Sequence, residues 1–251
     1  RDYDSAGIAV IDDAAELNTR KRAGKLHILT DELAVSPIND GGTGIGHTRW
    51  ATHGGPNDQN AHPHLGDDGR LALIHNGIIE NFAELKAELL AAHPETVFAS
   101  ETDTEVAALL VGLEYRKTGD LAEALRNVVG RLHGAFTLLV LHKDQPGVVV
   151  GARRNSPLVI GLGDGENFLG SDVAAFVEHT RRGVAIGQDQ IVTITADAVT
   201  VTDFDGVPVA AEEFEVDWDA SAAEKGGWSS FMAKEISEEP EAIAKTLLGR
   251  V

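Results

Sequence analysis

The sequence predicts an α+β fold in which β-sheets pack face to face. Short β-like segments occupy the first 80 residues, helical periodicities follow, and a β-rich tract runs over residues 135–201. Strands and helices that are segregated along a chain in this way are typical of α+β proteins, because α/β folds alternate the two. With 251 residues, of which 43% are apolar, the chain can form one large domain or two small ones.

The N-terminal third predicts strands. Residues 6–11 follow an Asp-Ser turn and are small or β-branched, which indicates a strand. Residues 19–25 form a basic segment in an acidic chain and are predicted as an exposed loop. Further strands are predicted over residues 45–49 and 71–75, and the second of these would stop at the turn-forming pair at 76–77.

The middle of the chain predicts helices. Residues 81–92 and 121–132 carry apolar side chains at helical spacing. Thr102 and Glu105 fit a capping box, so another helix is predicted to begin there. A short helix is predicted over residues 171–179, inside the β-rich tract. The strands predicted in that tract cover residues 136–141, 148–152, 158–162, 168–170, 191–195 and 199–202.

Composition limits the function classes. A net charge of −19 opposes binding to nucleic acid and to anionic membrane surfaces, since both are negatively charged. No apolar run approaches the length of a membrane span and no secretory signal is visible, so a cytoplasmic location is expected. The sequence contains no Cys, which excludes disulfides and Cys-ligated zinc within these 251 residues.

Residues 47–54, His-Thr-Arg-Trp-Ala-Thr-His-Gly, are the most informative segment. They concentrate imidazoles, hydroxyls, a guanidinium and an indole, a composition that core packing explains poorly. The Arg49 guanidinium can hold a carboxylate through two parallel hydrogen bonds. Taken singly, Arg49 would be interpreted as a surface residue and Trp50 as a core residue. Together they predict a ligand-binding loop.

Two further segments have a similar character: His-Asn-Gly-Ile-Ile-Glu-Asn at 75–81 and Ser-Glu-Thr-Asp-Thr-Glu at 100–105. Acyl chemistry on an amide needs donors aimed at an oxyanion, and the Asn76 side chain and the Gly77 N–H could supply two. A hairpin turn is the competing interpretation of this pair. Asp103 would lie in the first turn of a helix, where the helix dipole alone favours an acid.

A cluster of histidines raises the hypothesis of a metal-dependent hydrolase, because imidazole is a common zinc ligand. However, no His-Glu-x-x-His pattern is present and no carboxylate partner is specified. We therefore expect no metal. The histidines are His47, His53, His62, His64 and His75.

Together, the three segments resemble the glutaminase domain of the glutamine–fructose-6-phosphate aminotransferase family, whose members are class II, N-terminal-nucleophile amidotransferases. The resemblance covers essentially the whole chain. It implies a four-layer αββα sandwich of the N-terminal-nucleophile hydrolase type, which periodicity alone does not predict. It also implies that glutamine is hydrolysed to glutamate and ammonia, that no cofactor is required, and that the ammonia converts fructose 6-phosphate to glucosamine 6-phosphate.

The resemblance implies a substrate-binding role for five residues. Arg49 would bind the α-carboxylate of L-glutamine, with Thr52 and His53 beside it. Asp103 would bind the α-ammonium group. Trp50 would belong to a mobile loop over the glutamine, where its ring would gate the route of the ammonia.

The resemblance also implies the catalytic groups. Asn76 and Gly77 would form the oxyanion hole, and the nucleophile would be an N-terminal Cys. Since the chain has no Cys and begins at Arg1, with Met232 as its only Met, we expect a strand, a helix and the nucleophile to precede Arg1. Arg1 would then lie near that nucleophile, and the chain alone would be inactive.

Two parts are implied by the same resemblance. Residues 1–223 would form the glutaminase domain, and residues 224–251 would be a linker and the first helix of a truncated sugar isomerase domain of the same polypeptide. The full-length enzyme would be a homodimer. The sequence is also compatible with a non-enzymatic glutamine-binding module and with a different class II amidotransferase.

Overall fold

The computed structural model describes residues 3–38, 40–217, 227–228 and 231–247. Arg1 and most of the proposed linker lie outside the described residues. The helices are α1 (Leu26–Val35), α2 (Phe82–Ala92), α3 (Asp103–Thr118), α4 (Leu121–Val129) and α5 (Phe231–Leu247), with 3₁₀ turns at Asp67–Gly69 and Val173–Ala175. The strands are β1 (Ser5–Ile11), β2 (Leu17–Ala23), β3 (Thr43–Arg49), β4 (His64–Gly66), β5 (Leu71–Ile79), β6 (Gly134–His142), β7 (Val149–Arg154), β8 (Val159–Leu162), β9 (Asn167–Gly170), β10 (Arg182–Ala185), β11 (Gln190–Ile194), β12 (Val199–Asp203) and β13 (Glu213–Glu215).

These strands form three antiparallel sheets. The six-stranded sheet has the order β12-β11-β7-β6-β5-β4, the four-stranded sheet β13-β10-β8-β9, and the three-stranded sheet β2-β1-β3. Among the described strands, β3 pairs only with β1 and β9 only with β8. A cavity of about 340 Å³ runs along residues 42–46 and 165–169, between these two sheet edges.

Strand β5 shows why the sheets occupy the middle of the molecule. Leu71 and Leu73 face a core shared with α2, α3 and α4. Ala72 and Ile74 face a second core shared with the three-stranded and four-stranded sheets. Because side chains alternate across a strand and both faces are buried, the segment is a continuous apolar run.

The layers confirm the expected four-layer αββα sandwich. Helices α2 to α4 cover the outer face of the six-stranded sheet, and the two smaller sheets cover its inner face. Helix α1 packs on β1 and β2 from the other side and contributes the buried Leu29. None of the described helices is both long and apolar enough to cross a membrane.

Helix α3 begins where the capping residues predict. The Thr102 hydroxyl accepts a hydrogen bond from the Glu105 N–H at 3.3 Å. The Glu105 carboxylate turns back to accept bonds from the N–H groups of Ala99 and Ser100, both at 2.7 Å. The buried carboxylate thereby also holds the loop that leads into the helix.

The expectation of an exposed loop over residues 19–25 was wrong. Residues 19–23 belong to β2, which pairs with β1 along its whole length and is half-buried. The basic side chains have partners: the Lys21 ammonium donates to the carbonyl oxygens of Ala61 at 2.8 Å and Pro63 at 3.2 Å. The prediction was wrong because it took charge as a sign of exposure, whereas hydrogen bonds to backbone carbonyls compensate for the partial burial of these basic side chains.

Three further expectations need correction, and several elements were not predicted. Strand β5 does not stop at residue 75 but continues to Ile79, because it keeps pairing with β6 as far as Gly134. The helix predicted over 171–179 is only the 3₁₀ turn Val173–Ala175. Helix α4 ends at Val129, earlier than predicted. Helix α1 and the strands β4, β10 and β13 were not predicted.

Candidate functional site

A cavity of about 740 Å³ brings the three sequence motifs together. Its lining comes from the end of β3, the middle of β5, the start of α3 and the end of β9. All the described residues that the sequence predicted for the site line this cavity, namely Arg49, Trp50, Thr52, His53, Asn76, Gly77 and Asp103. Arg1 lies outside the described residues.

Arg49 is the last residue of β3 and is only 4% exposed. Its Nη2 donates to the carbonyl oxygens of His53 at 2.5 Å and Gly54 at 3.2 Å, and its Nη1 reaches that of Gly55 at 3.5 Å. Nη1 also lies 3.7 Å from the Asp4 carboxylate. The guanidinium therefore holds the loop after β3 through its backbone carbonyl oxygens, a role that the sequence did not predict.

The same loop carries the remaining predicted binding residues. The Ala51 N–H donates to the Asp4 carboxylate, which fixes the start of the loop. Trp50 is 73% exposed and Thr52 is also exposed. The His53 ring contacts Phe82 edge-on, with 5.1 Å between ring centroids. The loop is thus tied down by its backbone while its side chains line the mouth of the cavity.

Asp103 is the first residue of α3 and is 3% exposed. Its Oδ2 accepts from the Ile79 N–H at 2.8 Å, and its Oδ1 accepts from the Thr104 hydroxyl at 3.3 Å. His75 lies 3.8 Å away, but burial lowers the pKa of this imidazole, which is therefore neutral at pH 7. Across the described ranges, no Lys or Arg lies within ion-pair distance of Asp103.

Asn76 and Gly77 lie within β5 and not in a turn. The Asn76 Oδ1 lies 2.7 Å from the Nε2 of His47, and its Nδ2 donates to the Ser171 hydroxyl at 2.7 Å. Gly77 has a φ of +124°, and a Cβ there would stand 2.0 Å from the Ala135 carbonyl oxygen. Only glycine fits this position, because a side chain would collide with the backbone of β6.

Four histidines lie close together at the cavity, namely His47, His62, His64 and His75. Hydroxyl groups contact one ring nitrogen in three of them, but among the described residues the other ring nitrogens of His62 and His75 have no hydrogen-bond partner. His62 and His75 both contact the Thr104 hydroxyl at 3.0 Å, and His64 contacts that of Thr102 at 3.0 Å. Burial lowers the pKa of every member, that of His64 to about 3. In the part of the chain that the structure describes, no three His, Asp or Glu side chains are arranged to hold a metal ion.

Sequence reasoning missed several contributors. Thr104 belongs to the segment singled out at 100–105, and Ser171 is the first residue of the helix predicted over 171–179, but neither pattern indicated a role for these hydroxyl groups. Asp4 gave no signal, because its contact with Arg49 depends on the pairing of β1 with β3.

Residues 33–212 of the chain match the family model of the glutamine amidotransferase domain. The chain is 75% identical over 250 residues to a glutamine–fructose-6-phosphate aminotransferase (isomerizing) of Leifsonia xyli subsp. xyli, and 62% identical over 251 residues to that of Streptomyces coelicolor. Each alignment covers 100% of this chain and 40% of the relative, so the chain spans about 40% of the length of these curated relatives. Among solved structures, the chain is similar to the glutamine phosphoribosylpyrophosphate amidotransferase from B. subtilis complexed with ADP and GMP. The TM-score is 0.65 and the sequence identity 26%, and the match covers 80% of this chain and 43% of that one.

Proposed function

Because the chain belongs to the family of glutamine amidotransferase domains, we propose that its cavity binds L-glutamine and supports hydrolysis of the side-chain amide to glutamate and ammonia. The observation that carries this proposal is the buried carboxylate of Asp103, which lines the cavity with no Lys or Arg among the described residues within ion-pair distance. A buried charge of this kind is costly unless it is paired. An ammonium group of a ligand would pair with it.

The cavity also carries a positive group for the opposite end of an amino acid. In the proposed complex, the Arg49 guanidinium binds the α-carboxylate, exchanging part of its contacts with the loop carbonyls for two charge-assisted bonds. Thr52 and His53 lie beside it, and Trp50 lies over the bound amino acid. Arg49 and Asp103 would then bind the two charges of a zwitterion, which selects a free amino acid.

The chemical step that we propose is attack by a Cys thiolate on the amide carbon. The resulting oxyanion is stabilised by the Asn76 amide and the Gly77 N–H. The proton that the base takes from the thiol is passed to the amide nitrogen, so that the C–N bond breaks and ammonia leaves. Water then cleaves the thioester to release glutamate and the thiol. A free α-amine with a pKa of about 8 suits the role of base. None of these 251 residues is a Cys, so the described residues contribute binding and oxyanion stabilisation but not the nucleophile.

We further propose that the ammonia is used by a sugar isomerase domain of the same polypeptide to form glucosamine 6-phosphate from fructose 6-phosphate, in a homodimeric, cytoplasmic enzyme. The 75% identity to a relative with that name supports this assignment. Helix α5 supports the division near residue 224, because its exposed Met232, Ile236, Ile243 and Leu247 recur at helical spacing and form an apolar stripe suited to another domain.

Calorimetric titration tests the binding part of the proposal. L-Glutamine should bind the 251-residue chain, and glutaramate, which lacks the α-amino group, should bind more weakly. When a Cys-led segment precedes Arg1, the protein should release ammonia from glutamine and should be blocked by a thiol-reactive glutamine analogue. Steady ammonia release by a homogeneous sample that begins at Arg1, or the absence of glutamine binding, would contradict the proposal.

A further inference from the structure

We propose that His47 is a positioning residue that fixes the side-chain amide of Asn76 for oxyanion binding, an inference that rests on the proposed function. The Nε2 of His47 lies 2.7 Å from the Asn76 Oδ1, and the Asn76 Nδ2 donates to the Ser171 hydroxyl at 2.7 Å. Both ends of the amide are therefore held. The second N–H of Nδ2 stays free to donate to an oxyanion in the cavity that Asn76 lines.

The direction of the amide decides whether Asn76 can act as a donor. A rotation of 180° about the last side-chain bond would exchange oxygen and nitrogen, so that a carbonyl oxygen would face the developing negative charge and repel it. A His47 ring with hydrogen on Nε2 can donate only to the amide oxygen, and this selects the productive direction. Donation to the oxygen also polarises the amide and strengthens its N–H groups as donors.

The His47 ring is itself fixed by its surroundings. It stacks on the ring of His62 with 4.3 Å between centroids and 27° between planes. His62 in turn contacts the Thr104 hydroxyl at 3.0 Å. Burial lowers the pKa of His47, so the ring is neutral at pH 7 and one tautomer sets its role as donor or acceptor.

The test is a double-mutant cycle in enzyme that carries the Cys nucleophile. His47→Leu should lower kcat about 10- to 100-fold with little change in KM for glutamine, because the amide loses its fixed direction. His47→Gln, whose Nε2 can still donate to Asn76, should restore much of the loss. The double variant with Asn76→Ala should be no slower than Asn76→Ala alone, because His47 acts through Asn76.

Matched controls separate the possible failures. His142→Leu removes a fully buried His that does not line the cavity, and it should lower the unfolding temperature without changing kcat. If Asn76→Ala left kcat unaltered, the oxyanion role and this inference would both be wrong. If Asn76→Ala lowered kcat but the two substitutions multiplied, or if Gln were no better than Leu, only the role of His47 would be wrong.

A second measurement uses the protein without any substitution, so it does not depend on whether a variant folds. In ¹⁵N-labelled protein at pH 7, the Nε2 of His47 should show the chemical shift of a hydrogen-bearing ring nitrogen, and Nδ1 that of a bare one. The opposite tautomer would contradict the inference, since Nε2 would then accept a bond and turn the amide nitrogen of Asn76 away from the oxyanion.

Discussion

Replacing Asp103 by Asn should remove the negative charge proposed to bind the α-ammonium of glutamine while keeping the shape of the site. The Asp103 Oδ2 accepts from the Ile79 N–H at 2.8 Å, and an amide oxygen can accept the same bond. The Oδ1 lies 3.3 Å from the Thr104 hydroxyl, which can accept from an amide N–H instead of donating. The change is therefore close to a pure loss of charge.

The magnitude follows from the surroundings of the carboxylate. Asp103 is 3% exposed and its nearest imidazole, His75, is neutral, so the charge is weakly screened. A hydrogen bond to a charged group contributes about 1.5–3 kcal/mol, which corresponds to a Kd for L-glutamine raised by about 10- to 100-fold. Loss of an acid from the first turn of α3 should also lower stability by about 0.3–1 kcal/mol.

Calorimetry on the 251-residue chain is the assay, with L-glutamine and glutaramate as paired ligands. Asp103→Asn should weaken L-glutamine and leave glutaramate nearly unaffected, because only the first carries the ammonium group. Asp172→Asn is the matched control, because Asp172 also lines the cavity. Its Oδ1 accepts a hydrogen bond from the Ala174 N–H at 2.8 Å, and an Asn side chain can still accept that bond. An unchanged Kd, or equal weakening of both ligands, would return Asp103 to the role of a helix-capping acid.

Three further predictions concern different contacts. Arg49→Lys should raise the glutamine Kd at least about tenfold and lower the unfolding temperature. The reason is that Lys cannot make the planar contacts by which the guanidinium holds the loop carbonyls. Calorimetry measures the first effect and a thermal melt the second. Gly77→Ala should destabilise the fold by roughly 1–3 kcal/mol, since φ is +124° and the new Cβ would stand 2.0 Å from the Ala135 carbonyl oxygen. Urea denaturation measures this loss, and an unchanged midpoint urea concentration would contradict the prediction. His64 should lower the unfolding free energy by about 2 kcal/mol between pH 7 and pH 5. Its folded pKa of about 3 lies below the unfolded value near 6.5, so the unfolded state takes up the proton first. His64→Gln should flatten that slope, and an equal slope in the variant would contradict the assignment.

The fold was predictable where local pattern and tertiary packing agree. The run at residues 71–75 predicted a buried strand, and the Thr102 and Glu105 pair predicted the start of α3, because these signals depend on neighbours in sequence. Strand β2 failed because charge indicates exposure only on average, and here Lys21 finds backbone carbonyl partners. Helix α1 lacked both a capping side chain and an acid in its first turn.

The candidate site was predictable as a set of residue types but not as a set of contacts. The motifs identified Arg49, Asp103 and Asn76 as groups able to bind charges or an oxyanion, and the structure places all three around one cavity. No local pattern indicates that Arg49 holds the loop that follows it. Likewise, the contact between His47 and Asn76 joins β3 to β5, two strands of different sheets whose relative position only the packing of the sheets determines.

The electrostatics of the cavity depend on keeping the buried imidazoles neutral. A charged His75, 3.8 Å from Asp103, would neutralise the carboxylate and compete with the ammonium group of a ligand. Burial prevents this by lowering the pKa of His75, and the Thr104 hydroxyl contacts the Nδ1 of the ring at 3.0 Å without adding a charge. Thr104 therefore accommodates a neutral imidazole next to the carboxylate that we propose binds the ammonium group of the ligand. The neutral ring leaves the charge of Asp103 available for that proposed contact.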